Sequence, residues 1–370
     1  MGKETVFYAV GDVGPTREVP YTIFEQVAPL IQSGDVAFCQ LEPVLSERGT
    51  PLPQARLAAR SHPNAAAAIK KAGFHIVSFA TNHCMDWGRE AFQDTIDVLK
   101  QEALQVIGVG RNISEARKPA YYEQDGLRIA FLAYNSILPQ DYWATEDRQG
   151  CVPLRAHTLY EQIEHDQPGT PCRIHTFAHR QDLKHMVEDI RKAKAGADLV
   201  IVSMHAGIHF IPAVLADYQK EMAYAAIDAG ADMIIGHHAH ILKGVEVYKG
   251  KAIFYSLGNF AIDSPIKFHK DLEKRKSHKE VASLNPTWKA GKGWPEDSYK
   301  TMIVKGVIED KAIKGVSFIP VQIDADDVPR IVTHDDPDFE GIAAYVKDIS
   351  SSQGLNVNFN ILKEEVQIIL

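Results

Sequence analysis

Short apolar runs alternate with stretches of helical spacing along most of this chain. Residues 5–10, 35–41 and 74–80 form the first three runs, and each is bounded by glycine, proline or polar residues. Between residues 89 and 102 the apolar positions recur at helical intervals and lie on one face. This alternation of buried strands and amphipathic helices predicts an α/β fold.

The second half of the chain continues this pattern after an irregular stretch. Residues 121–134 predict a hairpin that turns at Asp125-Gly126. Periodicity is then lost over residues 135–178, which favours an excursion or a lid over a core element. Helical and strand patterns alternate again from residue 181 to residue 260.

The sequence contains no internal repeat and no convincing linker, which favours one domain over residues 1–330. Insertions are predicted at about 135–178 and 264–300, and residues 331–370 are predicted to form a C-terminal extension packed on this domain. The segment 264–300 carries nine Lys and Arg against five Asp and Glu. A solvated surface loop is the favoured interpretation of this segment, and steering of an anionic ligand is the alternative.

The composition is that of an ordinary soluble globular protein, with 45% hydrophobic and 24% charged residues among 370. A net charge of -8 argues against a general nucleic-acid or membrane-surface binder. The four cysteines form no C-x-x-C pair, so neither a disulfide framework nor a thiolate zinc site is indicated. With no signal peptide or long apolar run in the sequence, we expect a cytoplasmic protein without a membrane anchor. The oligomeric state is not indicated.

Side chains able to bind a metal follow five of the predicted strands, at the point where each strand ends. They are Asp12, Glu42, Asn82-His83, His205 and His238-x-His240. Carboxylate, amide and imidazole groups together suit divalent cations, and neighbouring strands bring their ends within about 5 Å. Each residue alone has a simpler interpretation, such as a turn former for Asp12 or a satisfied core histidine for His205. Five such strand ends in one chain favour a metal centre.

The order of these motifs resembles the bacterial capsule-synthesis CapA family, which is associated with poly-γ-glutamate synthesis and is itself similar to the calcineurin-like metallophosphoesterases. The most specific pieces are Asn-His-x-x-Asp-x-Gly within residues 81–88 and, within 236–260, Gly-His-His-x-His and Tyr-Ser-Leu-Gly-Asn-Phe. The resemblance covers roughly residues 5–262. It implies a four-layer α/β/β/α sandwich with a binuclear centre at one end of the strands.

The resemblance also implies roles for individual residues. One divalent ion, most readily Mn, Fe or Zn, would be held by Asp12 and His240, and a second by Asn82, His205 and His238, with Glu42 bridging. The imidazole of His83 would serve catalysis as a general acid, and Asp86 would orient it or cap the following helix. Around these groups we expect four residues that support the ligands or contact substrate: His209, His237, Asn259 and Arg89.

This sequence departs from the superfamily pattern at several positions. Gly14 stands where the first motif, Asp-x-His, usually supplies an imidazole ligand, so one ion would keep an open position or take His209 or water instead. Glu42 replaces the usual bridging aspartate. These departures bear on the chemistry more than on the fold.

Three functions remain open from the sequence. The favoured one is a metal-dependent hydrolase in which metal-activated water attacks a phosphoryl or amide centre of an anionic or peptide-like substrate, such as a polyglutamate-like chain. The first alternative is a metal-dependent peptide or amino-acid epimerase or isomerase that uses the same centre as a Lewis acid. The second alternative is a non-catalytic accessory protein of capsule polymer synthesis.

Overall fold

The computed structural model describes residues 4–370 except positions 56, 165, 168, 268, 270 and 290. Five of these six positions fall in the two segments predicted as insertions, so those parts of the predictions lie outside the described residues. Within the described part, no helix is both long and apolar enough to cross a membrane.

The strands of the described part run in chain order as follows: β1 Thr5–Gly14, β2 Val36–Leu41, β3 Val44–Leu45, β4 Arg60–Ser61, β5 Ile76–Ser78, β6 Gln105–Ile107, β7 Val109–Gly110, β8 Ala120–Gln124, β9 Leu127–Asn135, β10 Gly150–Cys151, β11 Ala156–Gln162, β12 Cys172–Ala178, β13 Leu199–His205, β14 Met233–His237, β15 Val245–Tyr248, β16 Lys251–Phe254, β17 Asn259–Ile262, β18 Lys300–Glu309, β19 Ala312–Ile323, β20 Pro329–Ile331, β21 Asn358–Ile361 and β22 Val366–Ile369. The α-helices are α1 Ala28–Gln32, α2 Ala65–Lys71, α3 Gly88–Gln101, α4 Ile113–Ala116, α5 Arg180–Ala195, α6 Asp217–Ala229, α7 Lys276–Ala282 and α8 Pro337–Ser351.

Two sheets form the centre of the molecule. The larger one has the order β21-β22-β19-β18-β1-β2-β5-β6, with β17 paired to β1 and β20 paired to β19. The smaller one has the order β15-β16-β14-β13-β9-β8. Strands β1, β2, β5 and β6 run parallel to one another, as do β9, β13, β14 and β16. The carboxyl ends of parallel neighbours meet at one edge of each sheet.

The two sheets pack face to face through an apolar core. Phe38 of β2 stacks on Phe131 of β9 with ring centroids 6.5 Å apart, and Phe7 of β1 lies 5.8 Å from the same ring. Along β9 and β13 the alternate residues, such as Ile129 and Ile201, face this core. The intervening residues face outward, as the two-residue period of a strand requires.

Helices cover the outer faces. On the smaller sheet, α5 and α6 bury Met186 and Met222 against the outward residues of β9, β13 and β14. On the larger sheet, α3 packs near β6, and its Phe92 stacks on Phe79. Helix α6 ends at Gly230, whose φ of 117° is a left-handed conformation that favours glycine. The predicted four-layer α/β/β/α sandwich is confirmed.

The three segments predicted outside the regular pattern have different structures. Residues 135–178 include the short strand β10 and an antiparallel ribbon of β11 and β12. The segment 264–300 contains α7 and several single-turn helices. The C-terminal residues, predicted as an extension packed on the domain, add β21 and β22 to the edge of the larger sheet through pairing of β22 with β19.

Candidate metal centre

Strand ends of both sheets bring the predicted ligands together. Asp12 lies in β1, Glu42 follows the last residue of β2, and His205 is the last residue of β13. The backbone N–H of Glu42 donates to the carbonyl of Val13, which fixes Glu42 beside the end of β1. Ligand atoms of Asp12, Glu42 and His205 all lie within 4.8 Å of one another.

These three side chains are buried and lack the partners that buried polar groups need. Asp12 and His205 are fully buried, and Glu42 is 3% exposed. Neither carboxylate accepts a hydrogen bond in good geometry from the described residues, and His205 Nδ1 also has no such partner. Buried carboxylates without donors are costly unless a cation compensates them. The donor set therefore fits a divalent metal ion.

Asn82 and two histidines form a second group beside the first. The Oδ1 atom of Asn82 lies 2.8 Å from His205 Nε2 and 3.1 Å from His238 Nδ1. His205 connects the two groups, because its Nδ1 is 3.6 Å from Glu42 Oε1. Burial and the neighbouring histidines lower the pKa values of His205 and His238 well below the usual range. Both imidazoles are then neutral, as metal ligation requires.

The loop after β14 carries His238 and His240 in an uncommon backbone conformation. Their φ angles are 90° and 55°, in the left-handed region that few non-glycine residues occupy. The Nδ1 atom of His240 lies 3.4 Å from Asp12 Oδ2 and 2.8 Å from Asn259 Oδ1. Backbone strain of this kind clusters at functional sites, where the surrounding structure enforces it. All six predicted ligands lie in this one cluster, and their role as ligands remains a prediction.

The structure also explains the glycine at position 14. A Cβ atom there would lie 2.9 Å from Pro43 Cδ and 3.0 Å from Ile262 Cγ1, so the position has no room for an imidazole. A different histidine lies next to Asp12. His237 is fully buried, and its Nδ1 is 3.4 Å from Asp12 Oδ1. Neither ring nitrogen of His237 has a hydrogen-bond partner among the described residues.

A chain of hydrogen bonds positions His83 at the edge of the cluster. Its Nδ1 lies 2.6 Å from Asp86 Oδ2, and the Tyr142 hydroxyl donates to Asp86 Oδ1 over 2.9 Å. Burial lowers the pKa of His83, but the charge of Asp86 and its hydrogen bond to the imidazole outweigh burial and raise that pKa to about 9. Of the two roles predicted for Asp86, the geometry shows the contact with His83. No motif or periodicity pointed to Tyr142, which lies in the irregular stretch of residues 135–178.

Burial and the charge of Asp12 both disfavour the ionised form of Glu42, whereas a bound metal ion would favour it. Desolvation is the larger cause and the Asp12 carboxylate the second, and together they raise the pKa of Glu42 to about 8. Two buried acids in contact disfavour a second negative charge. A bound divalent cation would remove that repulsion.

An aromatic wall borders the cluster on the side of the 264–300 segment. Trp294 lies 4.9 Å from the His240 ring, and Phe210 lies 5.5 Å from it between centroids. The ring of His209 packs 3.8 Å from His238. A small cleft of about 30 Å³, lined by Glu42, His83, His240 and Trp294, adjoins the cluster. His209 and Asn259 thus lie beside the predicted ligands, whereas Arg89 is exposed on the first turn of α3.

Residues 7–264 match the family described as bacterial capsule synthesis protein PGA_cap. The chain belongs to this family. A capsule biosynthesis protein CapA of Bacillus anthracis is 31% identical over 246 residues, which cover 65% of this chain and 54% of the relative. A PGA biosynthesis protein CapA of Bacillus subtilis (strain 168) is 29% identical over 65% of this chain and 57% of its own length. The chain thus spans about half the length of these curated relatives.

Among solved structures, this PGA_cap member is similar to a calcineurin-like phosphoesterase from Bacillus subtilis. The two align with a TM-score of 0.42 and 12% identity, over 95% of this chain and 98% of that chain. The family match ends at residue 264, so it includes every predicted ligand and His83. Apart from residue 264, the family match does not include the 264–300 segment, which carries Trp294.

Proposed function

We propose that this protein is a metal-dependent hydrolase with a binuclear centre that cleaves a phosphoryl or amide bond. The observation that carries the proposal is the pair of buried carboxylates, Asp12 and Glu42, whose oxygens have no donor in good geometry among the described residues. Histidines surround this pair on both sides. Such an arrangement is stable in water-excluded surroundings when cations occupy it.

The ligands divide into two sets around Glu42. Asp12 and His240 would hold one ion, with His237 in place of the imidazole that Gly14 cannot supply. Asn82, His205 and His238 would hold the other. When bound, two divalent ions supply Lewis acidity and positive charge that favour attack by water on an electrophilic centre. Carboxylate and imidazole donors suit Mn, Fe and Zn.

His83 is the group placed to exchange a proton with substrate. Its Nδ1 is engaged by Asp86, which leaves Nε2 for the cleft, and its side chain is 17% exposed. In the metal-free protein the Asp86 carboxylate raises the pKa of His83, so this contact favours the protonated imidazole that could donate to a leaving group. Asp86 and Tyr142 hold the ring in the required orientation.

The substrate class is proposed from the names of the relatives together with the cleft. The two Bacillus relatives are named for capsule and PGA biosynthesis. A polyglutamate-like anionic chain would present a series of amide bonds to the centre. The aromatic wall of Phe210 and Trp294 would pack against the apolar part of such a chain.

The test is a hydrolysis assay on metal-loaded protein with two substrate sets, aryl phosphodiesters and γ-glutamyl amides, run in parallel in D₂O. We expect cleavage of at least one set, and loss of that cleavage by about 10²–10⁴-fold in His83→Ala. Incorporation of solvent deuterium at Cα without cleavage would instead indicate an epimerase. No turnover with full metal occupancy would contradict the proposed hydrolase and favour an accessory protein.

A further inference from the structure

The ribbon formed by β11 and β12 exposes apolar side chains on both faces. On one face Leu159 is 53% exposed, and on the other Tyr160 and Ile174, which lie opposite each other, are 66% and 60% exposed. An isolated two-stranded ribbon is only marginally stable in water, and large exposed apolar side chains in a strand mark a surface that pairs. These exposed side chains favour a partner that binds the ribbon.

One edge of the ribbon is already covered. The backbone N–H of Thr176 donates to Asp217 Oδ2 over 3.0 Å, and that of Ala178 donates to Glu221 Oε2 over 2.7 Å. Both carboxylates belong to α6, which lies along the outer side of β12. In the part of the chain that the structure describes, β11 pairs with β12 alone. The available edge is thus that of β11.

The same contacts show which backbone groups of β11 face outward. Thr176 and Ala178 point their N–H groups away from β11, so they form the non-hydrogen-bonded pairs of the ribbon with Thr158 and Ala156. Because the pattern alternates, Thr158 and Tyr160 point their own N–H and C=O groups to the outer edge. Leu159 lies between them, and its side chain would lie closest to any further strand that paired with this edge.

We propose that β11 pairs with β11 of a second copy of this chain, antiparallel and centred on Leu159. In this register Thr158 of one copy exchanges backbone hydrogen bonds with Tyr160 of the other. His157 lies opposite Glu161, whose carboxylate already contacts His175 Nε2 over 2.7 Å within its own ribbon, so the imidazole of the other copy adds to this contact twice about the two-fold axis. A register shifted by two residues puts Glu161 opposite Leu159 and loses this complementarity.

The resulting assembly is a two-fold dimer joined by a four-stranded sheet. The same strand meets itself, as in the isologous interfaces that dominate homodimers. Four strands also remove the marginal stability of a two-strand ribbon. The proposal does not depend on the chemistry at the metal centre, since no predicted ligand lies in β11 or β12.

The first test is the mass in solution by sedimentation velocity and light scattering. We expect a species of twice 41.1 kDa for the wild-type chain. Leu159→Lys places two charges against each other at the axis and should give a monomer. Leu284→Lys, at a 58% exposed leucine outside the ribbon, is the matched control and should remain dimeric. A monomeric wild type, or a dimer that survives Leu159→Lys, would overturn the proposal.

Cross-linking tests the register itself. In a Cys172→Ser background, Leu159→Cys places two thiols directly opposite in a non-hydrogen-bonded pair with Cα atoms about 4.5 Å apart. Oxidation should then give a covalent dimer, whereas Thr158→Cys, which faces Tyr160, should not. A charge exchange tests the same register. His157→Glu and Glu161→His should each weaken the homodimer, because each puts two side chains of the same kind opposite each other. A mixture of the two variant proteins should form a heterodimer, in which carboxylate and imidazole are again opposite. Cross-linking of the position 158 variant with none at position 159 would refute this register.

Discussion

His237 Nδ1 lies 3.4 Å from Asp12 Oδ1, and both side chains are completely buried. Gly14, two residues after Asp12, stands where the first motif of the superfamily usually supplies an imidazole. His237 was expected to support the predicted ligands from outside their set, but its two ring nitrogens make no hydrogen bond in good geometry to the described residues, which favours a closer role. Distinguishing the two roles requires counting ions.

We predict that His237→Ala loses one of about two bound ions, because Asp12, His240 and the shared Glu42 would leave the first site one ligand short. Metal analysis by mass spectrometry after dialysis measures the ions per chain. His62→Ala, at a histidine with a 56% exposed side chain, is the control and should keep both ions. If His237→Ala retains both with affinity reduced only about 10–100-fold, His237 is a supporting residue.

His83 gives the second prediction, which separates catalysis from metal binding. His83→Ala should retain the ions and lose turnover by about 10²–10⁴-fold, because proton donation is lost while the ligands are intact. Tyr142→Phe should lower kcat less than His83→Ala does, because it removes only the hydroxyl that donates to Asp86. The paired readouts are kcat and metal content. Loss of metal in His83→Ala would mean that His83 is a ligand.

Lys243 gives a prediction on stability. This lysine is 1% exposed, and its Nζ donates to the carbonyls of Ile211 and Val214, so it fastens the loop that carries His209 and Phe210. Burial lowers the pKa of Lys243 to about 7. The unfolded chain, with a pKa near 10.5, binds more protons than the folded one between these values. Stability should therefore rise with pH from about 7 to about 10.5.

The measurement is urea unfolding of the wild type, Lys243→Met and the control Lys314→Met at several pH values. The free energy of unfolding of the wild type minus that of Lys243→Met should increase over this range. The corresponding difference for Lys314→Met, at an exposed lysine, should stay flat. A flat difference for Lys243→Met as well would show that the lysine keeps its ordinary pKa.

Trp294 gives a prediction on substrate binding. Its ring lies 4.9 Å from His240 and lines the cleft. Trp294→Ala should raise KM about fivefold with metal content unchanged, because one aromatic contact contributes on the order of 1 kcal/mol. Trp143→Ala, at an indole that packs on the Arg155 guanidinium instead, is the comparison and should leave KM unchanged. An unchanged KM in Trp294→Ala would place substrate elsewhere.

The sequence predicted the layers and the clustering of the ligands for the same reason. Each apolar run that leads to a predicted ligand is a buried strand parallel to a neighbour, and the polar residue at its end must lie at the common edge of its sheet. Asp12, Glu42 and His205 therefore met as expected. Contacts between distant segments were not predictable in this way. Tyr142 reaches Asp86, and Trp294 reaches His240, from stretches that have no periodicity.

Three other features that the sequence did not predict have specific structural causes. The ribbon of β11 and β12 was hidden because its exposed strands lack the alternation that burial on one face produces. The position of β22 in the larger sheet depends on its pairing with β19, which is set by tertiary packing. The space at Gly14 is filled by Pro43 and Ile262, and neither contact is visible in the order of the residues.

The most direct test of the account is the number of metal ions per chain in protein purified without a histidine tag or chelator. We expect about two ions of Mn, Fe or Zn in the wild type. The paired variants Asp12→Ala and Glu42→Gln should fall to one or none, because they remove a terminal ligand and the bridging ligand. A wild type that binds no metal after incubation with all three cations would contradict the binuclear centre.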